Sequence, residues 1–116
     1  MAVQQVQPHD RFPSGDFRDL AEISLSPQEI SACYGLVFAD LFDDLDWFKL
    51  AAVALPGGAQ AWLLKYKGDQ YPGTLVRVDA AADLSLAKGQ LQQAFGLTDA
   101  DFRWVAPGLQ VSVALS

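Results

Sequence analysis

The apolar positions after residue 25 recur at the spacing of an α-helix. Just before them, "LSPQEI" carries the signals of a helix start. Ser26 fits the N-cap, Pro27 fits the first helical position, and Glu29 completes a capping box. The sequence therefore predicts a first helix that begins at Ser26 and ends near Leu45. Its buried stripe would consist of Ile30, Tyr34, Val37, Phe38, Leu41, Phe42 and Leu45.

From Trp47 onward the pattern changes to apolar runs of strand length. Three of them, "FKLAAVAL", "AQAWLLKY" and "TLVRVD", are separated by "PGGA" and "KGDQYPG". Proline presets φ and glycine accepts a positive φ, so the two Pro-Gly pairs are typical of tight turns. Because short connections between strands favour antiparallel hairpins, these runs predict a three-stranded meander.

A second helix is predicted from Leu84 to Phe95, with Asp83 or Ser85 as its cap and Gly96 as its end. The following "TDAD" resembles a short capping turn. The segment "FRWVAPGLQVSVAL" then alternates between apolar and polar residues. Its Pro-Gly pair divides it into two predicted strands.

The beginning of the chain carries weaker signals. Residues 1–15 show little periodicity, and we interpret them as a flexible arm. Asp16 to Ile23 is interpreted as a turn or two of helix. Residues 16–116 have the length of one domain. The predicted fold is α+β, in the order α-β-β-β-α-β-β, with an antiparallel sheet of about five strands and two helices packed on one face.

The charge balance then narrows the function. The chain has 8 Lys and Arg against 14 Asp and Glu, with a net charge of -6 and a pI of about 4.4. Affinity for nucleic acid or for anionic lipid depends on basic residues, so neither partner is expected. No apolar run approaches the roughly 18 residues of a membrane span. A secretory signal is not recognisable, and one cysteine excludes an internal disulfide, so we expect a cytoplasmic protein.

The densest group of carboxylates lies in "FADLFDDLDWF". On the predicted helix, Asp40, Asp43 and Asp44 fall together on the side away from the apolar stripe. Asp40 and Asp44 are one turn apart, a spacing that can hold a hard cation, but the ligand series of an EF-hand is missing. We interpret the group as a solvated helix face that can serve as an acidic docking patch, and a metal site is not expected.

The segment "YKGDQYPG" and its flanks combine basic and aromatic residues. Lys65, Lys67, Tyr71 and Arg77 are the candidate contacts there for an anion or for a partner's acidic segment. The segment is not a phosphate-binding loop, because it lacks the glycine-lysine motif and a helix start.

The remaining chemically notable residues are interpreted as structural. Cys33 and His9 are the one cysteine and the one histidine. We expect Cys33 to be a buried, inert thiol, since His9 lies in the predicted arm. Trp47, Trp62 and Trp104 are expected in or beside the core.

No catalytic constellation emerges from these residues, and no cofactor is expected. The favoured hypothesis is a small acidic, non-enzymatic protein-binding or regulatory module: an adaptor, a dedicated chaperone or a neutraliser of a basic partner. One alternative is a homodimeric structural subunit that pairs through the final strand, Leu109 to Leu115. Another is an enzyme or divalent-metal binder that uses Asp40, Asp43 and Asp44.

Overall fold

The computed structural model describes residues 4–6, 17–42, 46–55, 60–80 and 82–106. It contains two helices and a seven-stranded antiparallel sheet, which confirms the predicted α+β class. The strands are β1 (Gln4–Val6), β2 (Phe17–Ile23), β3 (Ala39–Phe42), β4 (Trp47–Ala54), β5 (Gln60–Tyr66), β6 (Thr74–Asp79) and β7 (Phe102–Val105). The helices are α1 (Pro27–Tyr34) and α2 (Leu84–Phe95), and a 3-10 turn spans Asp99–Asp101.

The order of strands across the sheet is β1-β4-β5-β6-β2-β7. The meander predicted from the Pro-Gly turns is confirmed as β4, β5 and β6. β3 also pairs with β4, so two strands share one edge of β4. β3 lies along its first half, where Phe42 is opposite Trp47, and β1 lies along its second half, where Gln4 is opposite Ala54.

The side chain of Gln5 on β1 bonds to Val37, two residues before β3 begins. Its amide nitrogen donates to the carbonyl oxygen of Val37 at 2.6 Å, and its amide oxygen accepts from the N–H of Val37 at 2.9 Å. The glutamine therefore satisfies both backbone groups of Val37, as a neighbouring strand would.

The prediction of a helical turn over Asp16 to Ile23 was wrong, because β2 lies inside the sheet between β6 and β7. Leu20, Ala21 and Ile23 are fully buried there, and a bulge between Asp19 and Ala21 shifts the register. Burial of consecutive residues removes the alternation by which a half-exposed strand is recognised, so tertiary packing outweighs the local pattern.

The start of α1 is as predicted. The Ser26 hydroxyl accepts from the N–H of Glu29 at 3.1 Å, and the Glu29 carboxylate accepts from the N–H of Ser26 at 2.8 Å. The predicted end near Leu45 was wrong, because α1 ends at Tyr34. Gly35 adopts a left-handed conformation with φ of 72°, and its N–H donates to the carbonyl oxygen of Ser31. A glycine in this conformation is the commonest helix terminator.

Helix α2 was predicted correctly in its bounds and its termination at Gly96, and of the two predicted caps the structure has Asp83. The two helices meet at their last residues. The Tyr34 hydroxyl donates to the carbonyl oxygen of Phe95 at 2.5 Å, and their rings are in edge contact at 4.8 Å. Burial, and secondly the charge of the neighbouring Cys33, raises the pKa of the Tyr34 hydroxyl above its ordinary value of 10.0.

Both helices contribute to one hydrophobic cluster on the same side of the sheet. α1 supplies Ile30, α2 supplies Leu91 and Phe95, and the sheet supplies side chains such as Leu63 and Val76. A smaller cluster on the opposite face comprises Phe48, Leu50 and Leu64, flanked by Trp62, Tyr66 and Leu75. Neither of the described helices is long and apolar enough to cross a membrane.

Three residues of the predicted arm form β1, whereas the rest of residues 1–15 lie outside the described residues. The predicted final strand from Leu109 to Leu115 also lies outside them. The division into an arm and a domain of residues 16–116 therefore stays a prediction.

Candidate functional site

Two rows of side chains cross strands β3, β4 and β5 at the end of the sheet away from the β4–β5 connection. In the first row, Asp40 is opposite Lys49, which is opposite Lys65. In the second row, Phe42 is opposite Trp47. Asp40 and Phe42 are two positions apart on β3, and so are Trp47 and Lys49 on β4. Because side chains alternate between the faces of a strand, both rows project from the same face. Leu63, two positions from Lys65, places this face on the side of the helices.

Lys67, just beyond β5, adds a third lysine to this surface. Its backbone N–H donates to the carbonyl oxygen of Trp47 at 2.9 Å, which continues the β4–β5 ladder by one residue. We call Phe42, Trp47, Lys49, Lys65 and Lys67 the aromatic–lysine face. A cavity of about 480 Å³, the lysine pocket, is lined there by Asp40, Trp47, Phe48, Lys49, Lys65 and Lys67.

The ammonium group of Lys65 is the most constrained group of the pocket. Its nitrogen is shielded from solvent and has no hydrogen-bond acceptor among the described residues. The carboxylate of Asp69, at 3.9 Å, is its salt-bridge partner, beyond hydrogen-bond distance. A buried charge without a hydrogen bond costs folding free energy, so we expect Lys65 to lower the stability of the domain.

Asp40 lies on β3 and forms a salt bridge with Lys49 at 2.8 Å. Both side chains are substantially exposed, so the pair contributes roughly 0–1 kcal/mol to stability. The prediction that Asp40 belongs to a solvated helix face was wrong, because the helix ends before this segment begins. Asp43 and Asp44 lie outside the described residues, and the docking role proposed for them stays a prediction.

The fourth aspartate of the segment, Asp46, has a structural role beside the pocket. Its carboxylate accepts from the N–H of Trp47 at 2.8 Å and from the N–H of Gly68 at 2.9 Å. It therefore links the beginning of β4 to the turn at Gly68 that follows β5, and so holds Trp47 and Lys67 close together.

Exposed apolar side chains concentrate on and around this part of the sheet. Among the residues that the structure describes, six large hydrophobic side chains are exposed, and four of them lie between residues 37 and 47. Phe42 is 58% exposed and Trp47 is 52% exposed, and their ring centroids are 5.0 Å apart. The expected burial of Trp47 was therefore wrong, whereas Trp62 is half-buried and Trp104 is 37% exposed.

Tyr71 and Arg77, which the sequence grouped with the lysines, lie elsewhere. The Arg77 guanidinium donates to the Asp19 carboxylate at 2.7 Å and lies over the Phe17 ring at 4.4 Å. Because Arg77 is one position from Val76 on β6, it projects from the opposite face. The Tyr71 ring packs under the guanidinium of Arg103 at 4.4 Å. The predicted cluster therefore splits, and Lys65 and Lys67 alone belong to the pocket.

The remaining candidate chemistry gives no second site in the described part of the chain. Cys33 is exposed, so its expected burial was wrong, and His9 lies outside the described residues. Among residues whose placement is described, no three His, Cys, Asp or Glu side chains form a group that could hold a metal ion.

Comparison of the chain with models of protein families, with curated proteins and with solved structures finds no match.

Proposed function

We propose that the protein is a small, non-enzymatic binding module that recognises a partner protein through the aromatic–lysine face. The observation that carries this proposal is the exposed Phe42–Trp47 pair beside three lysines on one face of the sheet. Large aromatic side chains dominate the energetics of protein interfaces, and exposed apolar groups rimmed by polar ones mark interaction surfaces. A rigid sheet presents them with little loss of conformational entropy on binding.

The charged side chains of this surface do not select between an acidic partner and the basic partner considered from the sequence. The carboxylate of Asp40 is already engaged by Lys49, whereas Lys65 has no hydrogen-bond acceptor among the described residues. Among the described residues, the three lysines of the pocket are matched in number by the carboxylates of Asp40, Asp46 and Asp69.

The two alternatives remain hypotheses that rest on residues outside the described parts of the chain. An enzymatic or metal-binding role would use Asp43 and Asp44 together with Asp40, and metal binding would show as thermal stabilisation by millimolar Ca²⁺ or Mg²⁺. Homodimerisation would need the segment from Leu109 to Leu115, and sedimentation at micromolar concentration tests it. We also propose a cytoplasmic location, which the single cysteine supports.

Affinity capture with matched surface variants tests the proposal. Phe42 and Leu86 are similarly exposed, at 58% and 60%, but Leu86 lies on α2 and not on the strands that form the aromatic–lysine face. Capture of partners by the parent protein, Phe42→Ser and Leu86→Ser is compared by quantitative mass spectrometry. We expect a partner that the parent and Leu86→Ser retain and that Phe42→Ser loses. Equal retention by all three proteins would contradict the use of this face.

A further inference from the structure

We propose that the partner protein binds as an extended, uncharged segment that adds one strand to the open edge of β3. The segment forms backbone hydrogen bonds with Asp40 and Phe42 and packs apolar side chains beside Phe42 and Leu41. This inference rests on the proposed function and adds to it the mode of binding and the kind of ligand.

The first argument is the direction of the backbone groups along this part of the sheet. The carbonyl oxygen of Trp47 accepts from the N–H of Lys67, so the backbone groups of Trp47 are directed toward β5. In an antiparallel sheet this direction alternates along each strand. The backbone groups of Phe48 are therefore directed toward β3, where Phe48 pairs with Leu41.

On β3 the same alternation directs Leu41 toward β4, and it directs Asp40 and Phe42 away from β4. The N–H and C=O groups of these two residues thus lie along the outer edge. All four residues of β3 are exposed, and among the described strands β3 pairs only with β4. A row of outward backbone donors and acceptors is matched by the backbone of another extended segment.

The second argument is that β3 lacks most of the features by which edge strands avoid pairing, such as lysine, proline and bulges. It contains neither lysine nor proline, and its four pairs with β4 run without a shift of register. Its one charged side chain, Asp40, is bonded to Lys49. By contrast β7, at the other end of the described strand order, carries Arg103 and pairs with β2 through a register shift. The short length of β3 remains, and it limits the added strand to about four residues.

The third argument is the chemistry beside the edge, which favours an uncharged segment. Phe42, 58% exposed, projects from the face of the helices, and Leu41, 37% exposed, projects from the opposite face. An added strand therefore places two consecutive residues beside apolar side chains, one on each face. The three lysines of the lysine pocket are matched in number by carboxylates, so no surplus charge is left for the ligand to neutralise.

A partner protein fits this edge better than a second copy of the chain. Each copy carries a net charge of -6, so two copies repel each other. The edge is also continuous with the aromatic–lysine face through Phe42, so one extended segment of a partner contacts both surfaces.

Titration of the isotopically labelled protein with a capped heptapeptide tests this inference. The probe has valine and leucine at its fourth and fifth positions and threonine elsewhere. Two comparison peptides carry N-methyl groups, one at the second and fourth positions and the other at the third and fifth. A strand at an edge uses the N–H groups of alternate residues only. One methylated peptide should therefore bind within about two-fold of the probe, and the other about ten-fold or more weakly.

Two protein variants at Asp40 separate backbone pairing from side-chain contacts. Asp40→Ala and Asp40→Pro both remove the bond to Lys49, but only the proline removes the outward N–H. The hydrogen bonds between β3 and β4 belong to Ala39 and Leu41, so both variants should keep this pairing. We expect Asp40→Ala to bind the probe within about two-fold of the parent and Asp40→Pro to bind it about ten-fold more weakly. If Asp40→Pro does not fold, the methylated peptides decide.

Amide hydrogen exchange of the protein without peptide provides a second measurement. The N–H groups of Asp40 and Phe42 should exchange faster than that of Leu41, which is bonded to β4. Addition of the probe should slow the exchange at Asp40 and Phe42.

No binding of the probe, equal affinity of the two methylated peptides, or equal affinity of the two Asp40 variants would overturn the added strand. Slow exchange at Asp40 and Phe42 without peptide would overturn it as well. The edge would then be covered by the chain itself or, where protection grows with concentration, by a second copy. If the added strand fails while partner capture still depends on Phe42, the proposed function stands without it. If the probe binds at β3 while capture is independent of Phe42, the added strand stands and the proposed docking face is wrong.

Discussion

Lys49 and Lys65 lie directly opposite each other on β4 and β5, and both project into the lysine pocket. Like charges in this position repel each other, and the ammonium group of Lys65 lacks a hydrogen-bond acceptor among the described residues. We therefore expect Lys65→Met to raise the free energy of unfolding by about 1 kcal/mol. Urea unfolding monitored by tryptophan fluorescence measures it.

The matched control is Lys67→Met, which removes a lysine that is exposed and not paired directly with Lys49. The free energy of unfolding of Lys67→Met should lie within about 0.5 kcal/mol of that of the parent. A Lys65→Met protein that is less stable than the parent would show that the lysine is satisfied by contacts in the folded state.

Gly73 and Gly89 should respond to alanine in opposite directions. A Cβ atom at Gly73 would lie 1.9 Å from the carbonyl oxygen of Ile23 and 2.4 Å from the Tyr71 ring, so backbone would have to move. Gly73→Ala should destabilise the protein by about 1–3 kcal/mol or more. Gly89 lies inside α2 with nothing within 4 Å of its added Cβ, and Gly89→Ala should stabilise it by about 0.5–1 kcal/mol. Thermal or urea unfolding of the two variants checks both signs, and a shared sign would contradict the packing described for one of them.

The hydroxyl of Tyr34 should make stability depend on alkaline pH. Its folded-state pKa is raised above 10.0, so the folded protein holds this proton more tightly than the unfolded chain. The contribution is fully present below the unfolded pKa and is lost as the pH rises through the folded pKa. Tyr34→Phe, which also loses the bond to Phe95, should therefore be less stable than the parent near neutral pH. This difference in the free energy of unfolding should shrink as the pH rises through the folded-state pKa of Tyr34. Urea midpoints measured from about pH 8 to 11 test this, and a difference that does not change with pH would contradict it.

The capping box of α1 should contribute measurably to stability. Ser26→Ala removes the acceptor for the N–H of Glu29 and should cost roughly 0.5–2 kcal/mol. Ser31→Ala, a serine inside the same helix, is the control, with an expected change below about 0.5 kcal/mol. A urea midpoint of Ser26→Ala equal to that of the parent would mean that this cap does not limit the stability of the domain.

The parts of the fold that were predicted from the sequence are those with local signals. The box at Ser26, the cap at Asp83 and the Pro-Gly turns each act over a few residues, so pattern and structure agree. Strands β2 and β3 had no such signal. The burial of β2 depends on neighbours distant in the sequence, and β3 continues an apolar spacing that a helix could also have used.

Two of the five residues of the aromatic–lysine face were accessible from the sequence, whereas Lys49 was not singled out. Lys65 and Lys67 stood out as basic residues among aromatics, but Phe42 was assigned to the buried stripe of a helix and Trp47 to the core. Gly35 carried the signal that would have corrected this, because a glycine after an apolar helical residue is a typical C-cap. With the helix ended at Gly35, Asp40 and Phe42 fall two positions apart on a strand and so project from the same side. Their pairing with Lys49 and Trp47 follows from the hairpin of β3 and β4.

The contact between Gln5 and Val37 has a consequence for how the sheet assembles. β3 and β4 are neighbours in sequence, whereas β1 reaches the same edge from a position 32 residues before Val37. Closing that longer loop costs more chain entropy and gains three residue pairs, so we expect β1 to join β4 late and to detach first. Amide hydrogen exchange should then be faster at Val37, whose N–H is bonded to the Gln5 side chain, than in β5 and β6. We therefore expect Gln4–Val6 to open and close one edge of β4 while the rest of the sheet stays paired.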